Sequence, residues 1–400
     1  MPGKHLRNDS MPSRANAFAR PMPMTILAAC AAFALSACGG GGDSAPSAGT
    51  SAAPAAGAAN ASQAASGQAP AGGSQTGSQT ATLPAGADRA CYTVTGNAPA
   101  PVTGSVSLLP ARGTGVSGYR VLDDARSAGL CYANYRREQV GLPAQTARDA
   151  LNTVAQNHTA YMLANNLLTH DEQSGKSGYT GAAPNDRIQA GYPTNATAEV
   201  VAAGNKWTSA AGANLSMAPK DALVADLVNA PFHRAALLGS YGSAGSGFAE
   251  SVGAGSSGGT TASYYQTIDL ADASKGGADN QMVAYPYSGQ ADVPASWVNN
   301  ESPNPAPSYA GQTMGYPVTV QAINTSLAFH ADTFTITDAA GANVPCEKVD
   351  ARTSGMSSYA RGLAICTPRA PLAAKTRYNV TVGGTLNGQG VNLNWSFTTL

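Results

Sequence analysis

The sequence predicts an α+β protein in which a mainly helical region is followed by a small β-sandwich. Between about residue 120 and residue 238, apolar residues recur at three- and four-residue steps, which is the period of amphipathic helices. Beyond about residue 318, short runs rich in Val, Ile, Thr and Tyr alternate with turn residues, which is typical of a sandwich of short strands. About 310 residues remain after the N-terminal segments described next, enough for two domains.

The N-terminus has the pattern of an export signal. A segment with four basic residues and one acid precedes the uncharged apolar run Met24–Ala37, which ends in small residues. This pattern predicts a signal peptide over residues 1–37, and the run is too short to span a membrane. Leu35-Ser36-Ala37-Cys38 resembles the bacterial lipobox, with an ordinary Ala-Cys near a cleavage site as the second interpretation. The resemblance implies a lipid on Cys38, the membrane as a partner through that lipid, and the outer membrane, facing periplasm or surface, as the location.

Residues 38–88 form a low-complexity segment of Gly, Ala, Ser, Pro, Gln and Thr. Such a composition cannot bury enough apolar surface to offset the entropy of ordering, so we expect a disordered spacer that holds the folded part away from a membrane.

The whole chain has a formal net charge of zero and only 12% charged residues, with no basic patch in the sequence. This composition argues against nucleic acid as a partner.

The six cysteines fall into three groups. Cys30 lies in the signal peptide and Cys38 is the lipidation candidate, which leaves four in the exported part. An even number in an exported chain predicts two disulfides, with three pairings open. We prefer the local pairing, Cys91–Cys131 and Cys346–Cys366, because it keeps each bridge within one domain. A zinc site made of all four thiolates lacks the usual CxxC spacing.

The periodicity places helices and strands in a definite order. Helices are predicted over about 123–140, 146–168 and 219–229, and from Pro231 through Leu238, with a loop from His170 to about Ala198. Strands are predicted at Gly247–Val252, Ser263–Leu270, Val318–Ile323, Thr333–Thr337, Leu363–Cys366, Tyr378–Val382 and Leu393–Thr399. His158 lies on the apolar stripe of the second helix, which favours a packed, hydrogen-bonded histidine over a ligand.

An ordered series of short motifs resembles the bacterial branch of the CAP superfamily, which groups cysteine-rich secretory proteins, antigen 5 and pathogenesis-related 1 proteins. The series covers roughly a third of the chain and includes the segments Asn134-Tyr135-Arg136-Arg137, Pro184-Asn185-Asp186-Arg187, Ala198-Glu199-Val200 and Pro231-Phe232-His233-Arg234. The resemblance implies an α-β-α sandwich with a shallow cleft, over residues 89–281 including an N-terminal extension. Asp186 and Arg187 are expected to cap and brace their loop.

In that family, histidines and glutamates line the cleft, and the resemblance carries this role to His170, Glu199 and His233. Two imidazoles and a carboxylate could hold Zn²⁺ with a water as fourth ligand, or serve as acid and base, or form a polar cluster that fixes a loop. The sequence names no cofactor with certainty, and Zn²⁺ on His170 and His233 is the candidate. No Walker loop is present.

Residues 282–400 are predicted to be a linker and a second domain. Tyr378–Val382 and Asn394–Thr399 resemble the final strands of bacterial Ig-like domains. Together these features predict a lipid-anchored protein that binds a lipid, cell-wall or protein ligand at the cell envelope. The alternatives are a metal-dependent hydrolase that uses His170, Glu199 and His233, and a structural or adhesion module that acts through the Ig-like domain.

Overall fold

The computed structural model describes residues 82–97, 100, 102, 104–255 and 258–400. The predicted signal peptide, Cys38 and the spacer up to residue 81 lie outside the described residues. The last residues of the predicted spacer are packed, because Leu83 and Ala87 are buried and the Asp88 backbone carbonyl accepts a hydrogen bond from Asn134. Within the described part, no helix is long and apolar enough to cross a membrane.

The described residues contain five α-helices and sixteen strands. The helices are α1 Ala125–Gln139, α2 Asp149–Asn165, α3 Pro184–Gly191, α4 Ala222–Asn229 and α5 Pro231–Leu237. The strands are β1 Thr93–Val94, β2 Ser107–Leu108, β3 Val116–Ser117, β4 Thr146–Ala147, β5 Thr197–Thr208, β6 Tyr241–Ala254, β7 Thr260–Ala273, β8 Gln281–Tyr285, β9 Ser296–Val298, β10 Thr313–Gly315, β11 Val318–Ala322, β12 Phe329–Thr337, β13 Cys346–Val349, β14 Leu363–Pro368, β15 Arg377–Leu386 and β16 Gln389–Thr398.

The first folded region has three layers around a four-stranded sheet of order β4-β6-β7-β5. Strands β5, β7 and β6 are long and antiparallel, and α2 packs on one face of β6 and β7. Helices α1, α4 and α5 lie on the other face, where Ala198 and Val200 of β5 share a core with Leu223 and Leu237. The helix–sheet–helix layering agrees with the predicted α-β-α sandwich.

Two glycines allow α2 to lie directly on the sheet. A Cβ atom at Gly245 would come within 2.1 Å of the Leu151 backbone, and one at Gly247 within 2.3 Å of the Ala155 carbonyl oxygen. Because such approaches are far inside van der Waals contact, any larger residue at these positions would push α2 off the sheet.

The observed helices lie within the predicted ranges, whereas the observed strands of this region are longer than predicted. All four predicted helices are present, and the two predicted strands of this region are the centres of the longer β6 and β7. The sequence analysis missed the short strands β1 to β4 and two longer elements, and residues 146–147, predicted as the start of the second helix, belong to β4. Residues 184–191, predicted as loop, form α3, which begins at a proline and in which the Asp186 carboxylate accepts a hydrogen bond from the Ala183 N–H at 3.2 Å. Residues 197–208 form β5, which the sequence analysis treated only as a motif.

The C-terminal region consists mainly of two sheets. One has the order β13-β14-β11-β8-β2 and the other has the order β12-β15-β16. Exposure alternates residue by residue along β15 and β16, so one face of their sheet is covered and the other faces solvent. By contrast, β8, β11 and β14 are buried throughout, so their sheet is covered on both faces. Strand β2, which precedes α1, pairs parallel with β8 and joins this sheet.

Both predicted disulfides are confirmed. Cys91–Cys131 fastens the N-terminal extension to α1, and Cys346–Cys366 connects the neighbouring strands β13 and β14.

The helical region and the C-terminal sheets share an extensive buried contact centred on Arg234. This side chain is fully buried on α5, and its guanidinium donates to the Pro317 carbonyl oxygen at 2.7 Å and to the Tyr316 hydroxyl at 3.2 Å. It also lies 4.7 Å from the centre of the Tyr285 ring, within cation–π range. Gln321 of β11 donates to the Ala235 carbonyl oxygen at the same contact. The C-terminal region therefore packs directly on α5.

Candidate functional site

His170, Glu199 and Arg187 form a buried group between α2, α3 and β5. His170 Nδ1 lies 2.8 Å from Glu199 Oε1, and each of these two residues is only 5% exposed. Arg187 Nη2 donates to Glu199 Oε2 at 2.7 Å and to the His170 carbonyl oxygen at 2.8 Å. The three residues tie a loop, a helix and a strand together at one point, which is the bracing role expected of Arg187.

Glu199 keeps its negative charge in spite of its burial. Burial by itself raises the pKa of Glu199, but the charges of His158, Arg187 and His170 and the hydrogen bond from His170 outweigh it. The pKa of this carboxyl is therefore held well below its usual range. The neighbouring groups balance this negative charge inside the protein, and the carboxylate is not exposed to solvent.

His158 and Glu172 form a second buried pair beside His170 and Glu199. His158 Nδ1 is 2.9 Å from Glu172 Oε1, and His158 Nε2 is 2.9 Å from the Thr169 carbonyl oxygen. Because a carboxylate and a carbonyl oxygen only accept, the ring can satisfy both contacts only when both nitrogens carry protons. His158 is fully buried. The prediction of a packed, hydrogen-bonded histidine is confirmed.

Glu172 joins the loop before α3 to α2. Its carboxylate also accepts from the Thr180 backbone N–H at 2.5 Å. Burial raises the pKa of Glu172, but the hydrogen bonds from His158 and Thr180 and the charge of Arg187 outweigh it and lower this pKa. The loop between α2 and α3 is therefore fixed by buried charges.

Asp269 completes the buried cluster from β7. It pairs with Glu199 in the register of β5 and β7, and it is fully buried. Among the described residues, neither of its carboxyl oxygens has a hydrogen-bond partner. Burial first, and then the negative charge of Glu199, raise the pKa of Asp269 well above its usual range. Both effects favour the protonated, uncharged form of Asp269.

His233 belongs to a different group, at the start of α5. His233 Nδ1 lies 2.8 Å from Glu301 Oε1, and the same oxygen accepts from the backbone N–H groups of Phe232 and His233 at 2.8 and 2.9 Å. Glu301 belongs to the C-terminal region, so it fixes the start of α5 to that region.

The structure pairs His170 with Glu199 and His233 with Glu301. That His170, Glu199 and His233 line one cleft stays a prediction. Among the described residues, no group of three or more His, Cys, Asp or Glu side chains is arranged to hold a metal ion. Because side chains alternate along a strand, Glu199 points away from the face that Ala198 and Val200 share with α5.

Sequence reasoning missed three acids: Glu172, Asp269 and Glu301. Asp269 could have been found from the predicted strand Ser263–Leu270, in which it alternates with apolar residues on the face opposite to them. Its position across from Glu199 depends on strand register, which one sequence does not reveal. Glu301 lies in a proline-rich segment without periodicity and gave no signal.

A pocket lies between α5 and the C-terminal region. It has a volume of about 70 Å³, and its lining includes Phe232 and Ala235 of α5 and Tyr359, Arg361 and Leu363 of the C-terminal region. Most of this lining is apolar. Arg361 is exposed, and its Nε donates to the Ser326 carbonyl oxygen at 2.7 Å. Within the described part of the chain, its two Nη atoms have no acceptor.

Comparison with known proteins supports the motif assignment. Residues 130–267 match the model of the CAP family, described as the Cysteine-rich secretory protein family. No curated protein matches the chain. The match covers most of α1 and of β7 and all of α2 to α5 and β4 to β6, which are the elements of the three-layer region. Residues 130–267 therefore form a CAP family domain.

Proposed function

We propose that this chain is an exported, lipid-anchored CAP-domain protein that binds an amphiphilic ligand with an anionic head group at the cell envelope. Proteins of the CAP family are typically secreted or extracellular, which agrees with the signal-peptide pattern before Cys38. The anchor, the outer-membrane location and the Ig-like nature of the C-terminal region are parts of this proposal.

Binding is favoured over turnover by the state of the ionisable groups. His158, Glu172, Arg187 and Glu199 are each at most 5% exposed and are paired with one another. A general acid or base must reach the substrate, and side chains that are buried and occupied in this way hold the fold instead.

The pocket beside α5 is the observation that carries the proposal. Its apolar wall, formed by Phe232, Tyr359 and Leu363, suits a hydrocarbon chain. The Arg361 guanidinium at the rim keeps donors that suit a carboxylate or phosphate. A pocket of this size would hold one end of such a chain, with the head group at the surface.

Calorimetric titration of the purified protein with dodecanoate tests the proposal. We expect saturable binding that Ala235→Phe, which fills the pocket, abolishes. Arg361→Gln should weaken binding at least about tenfold, the cost of losing a charge-assisted contact of about 1.5–3 kcal/mol. Arg352→Gln is the matched control, because Arg352 is also exposed but is paired with Asp332. Binding that is absent, or unchanged in both pocket variants, contradicts the proposal.

A further inference from the structure

Helix α2 covers only part of its face of the CAP sheet. Near its C-terminal end, Met162 packs in one cluster with Val201 and Tyr265, and Thr159 Oγ1 donates to Thr267 Oγ1 at 2.8 Å. Just after the helix, Asn166 Oδ1 accepts from the Tyr265 hydroxyl at 3.2 Å. The helix ends at Asn165, whereas β5, β6 and β7 continue. Two further rows of side chains on the same face therefore extend beyond the helix.

These two rows form a surface that we call the open platform. In strand register, one row is Asn205, Ser263 and Ser251, and the other is Trp207, Thr261 and Gly253. By alternation they lie on the face that carries Glu199 and Asp269. The residues from β5 and β6 are exposed and those from β7 are half-buried. The open platform therefore carries one aromatic ring, four small polar side chains and no charge.

Trp207 is exposed but held in place. It is 56% exposed, the largest exposed fraction for an aromatic side chain in the described residues. Its Nε1 donates to the Gly258 carbonyl oxygen at 3.1 Å, and a Cβ atom at Gly255 would lie 3.2 Å from the same nitrogen. The backbone on that side thus fixes the edge of the indole. A ring that is already ordered loses little entropy when a ligand stacks on its face.

The polar side chains of the open platform are available. In the described part of the chain, the Asn205, Ser251 and Ser263 side chains make no hydrogen bond. Neighbouring strands lie about 4.8 Å apart, so the three strands give a flat surface about 10 Å wide. Such a surface can present a ring face and several neutral donors and acceptors to one ligand at the same time.

We propose that the open platform binds a neutral saccharide, such as a segment of a cell-wall glycan. A sugar ring has a C–H face that packs on an indole and a rim of hydroxyl groups that pair with amide and hydroxyl side chains. A charged ligand would find no opposite charge here. A lipid surface would meet small polar residues around a single aromatic one. The open platform is separate from the pocket beside α5, so this inference goes beyond the proposed function and can fail independently of it.

Tryptophan fluorescence provides the test. The chain has three tryptophans, and Trp297 and Trp395 are only 8% and 6% exposed, so acrylamide quenching reports mainly on Trp207. The full-length protein would be titrated with the β-1,4-linked tetramers of N-acetylglucosamine and of glucose, and sedimented with insoluble peptidoglycan. We expect saturable binding to at least one of these probes, with protection of Trp207 from acrylamide.

Variants decide whether the open platform is the site. Trp207→Ala should weaken binding at least about tenfold, as loss of a central aromatic contact does, and Trp207→Phe should weaken it less. Val252→Ala is the matched control, because Val252 is exposed on the same hairpin but on the opposite face. Near-UV circular dichroism of the two buried tryptophans checks the fold of each variant.

Two outcomes overturn the inference. One is that no saccharide probe binds, or that binding survives Trp207→Ala in a folded variant. The other is Trp207-dependent binding to phosphatidylglycerol vesicles without saccharide binding, which would assign the open platform to a membrane surface.

Discussion

Asp269→Asn tests whether a neutral carboxylic acid lies beside Glu199 in the CAP sheet. The two residues are paired in register, and Asp269 is fully buried without a hydrogen-bond partner among the described residues. An asparagine has nearly the same shape, and its amide can donate to Glu199. If Asp269 is protonated at neutral pH, this substitution removes no charge. We therefore expect folding to survive it, with stability at pH 5 changed by no more than about 1–2 kcal/mol.

The size of the expected effect follows from how the free energy of unfolding depends on pH. In the unfolded chain Asp269 loses its proton near the ordinary aspartate value of 3.8, whereas the folded protein retains it well above that pH. Since the folded state then binds one proton more, the free energy of unfolding falls as the pH rises, by up to about 1.4 kcal/mol per pH unit for this group. The fall begins above pH 3.8 and stops at the folded-state pKa. Asp269→Asn removes it, so the variant should gain stability relative to the parent as the pH rises.

Urea unfolding at intervals from pH 5 to pH 8 measures this difference. Asp272→Asn is the matched control on the same strand. The Asp272 carboxylate accepts from the Tyr192 hydroxyl and from Thr194 Oγ1 at 2.8 and 2.9 Å. Slight burial raises the pKa of Asp272, but its hydrogen bonds outweigh this effect and lower it. Its contribution is lost only as the pH falls below about 3.8, so this variant should run parallel to the parent. Parallel curves for Asp269→Asn as well would refute the reasoning.

Two further substitutions test the other buried charges. Arg187→Met leaves Glu199 without its guanidinium partner and should cost about 3–5 kcal/mol in urea unfolding, with Arg187→Lys intermediate because the lysine cannot form the fork. A loss of less than about 1 kcal/mol in the free energy of unfolding would show that the Arg187–Glu199 pair does not stabilise the fold. Glu301→Ala leaves buried N–H groups at the start of α5 unpaired and should cost about 1–3 kcal/mol, with faster amide exchange there. Glu347→Ala, at an exposed ion pair, is its control and should cost less than about 1 kcal/mol. Equal exchange rates in the two variants would contradict the role of Glu301.

Much of the local structure follows from the sequence because it depends on neighbours in the chain. The three- and four-residue spacing of apolar residues predicts α1, α2, α4 and α5. The motif series predicts a CAP domain within residues 89–281, and the family match lies at residues 130–267. The even cysteine count left three pairings open, and the preferred local pairing is the one that the structure has. By contrast, α3 is only eight residues long and begins at a proline within a polar segment. It therefore shows no apolar periodicity from which a helix could be predicted.

The candidate site shows where one sequence stops being sufficient. His170 and Glu199 meet as the motifs predict, but Asp269 joins them only through the register of β5 and β7. His233 pairs instead with a residue of the C-terminal region. Its partner Glu301 is 68 residues further along the chain.

By itself, the sequence determined the helices with a clear period and the CAP domain, and it favoured the local disulfide pairing over two others. Each of these depends on residue type and short spacing. The tertiary structure alone decided which charges are buried together, that α5 packs on the C-terminal sheets, and that two rows of the CAP sheet remain uncovered beyond α2. These features depend on which faces of strands and helices meet, and residues far apart in the chain set them jointly through packing and register.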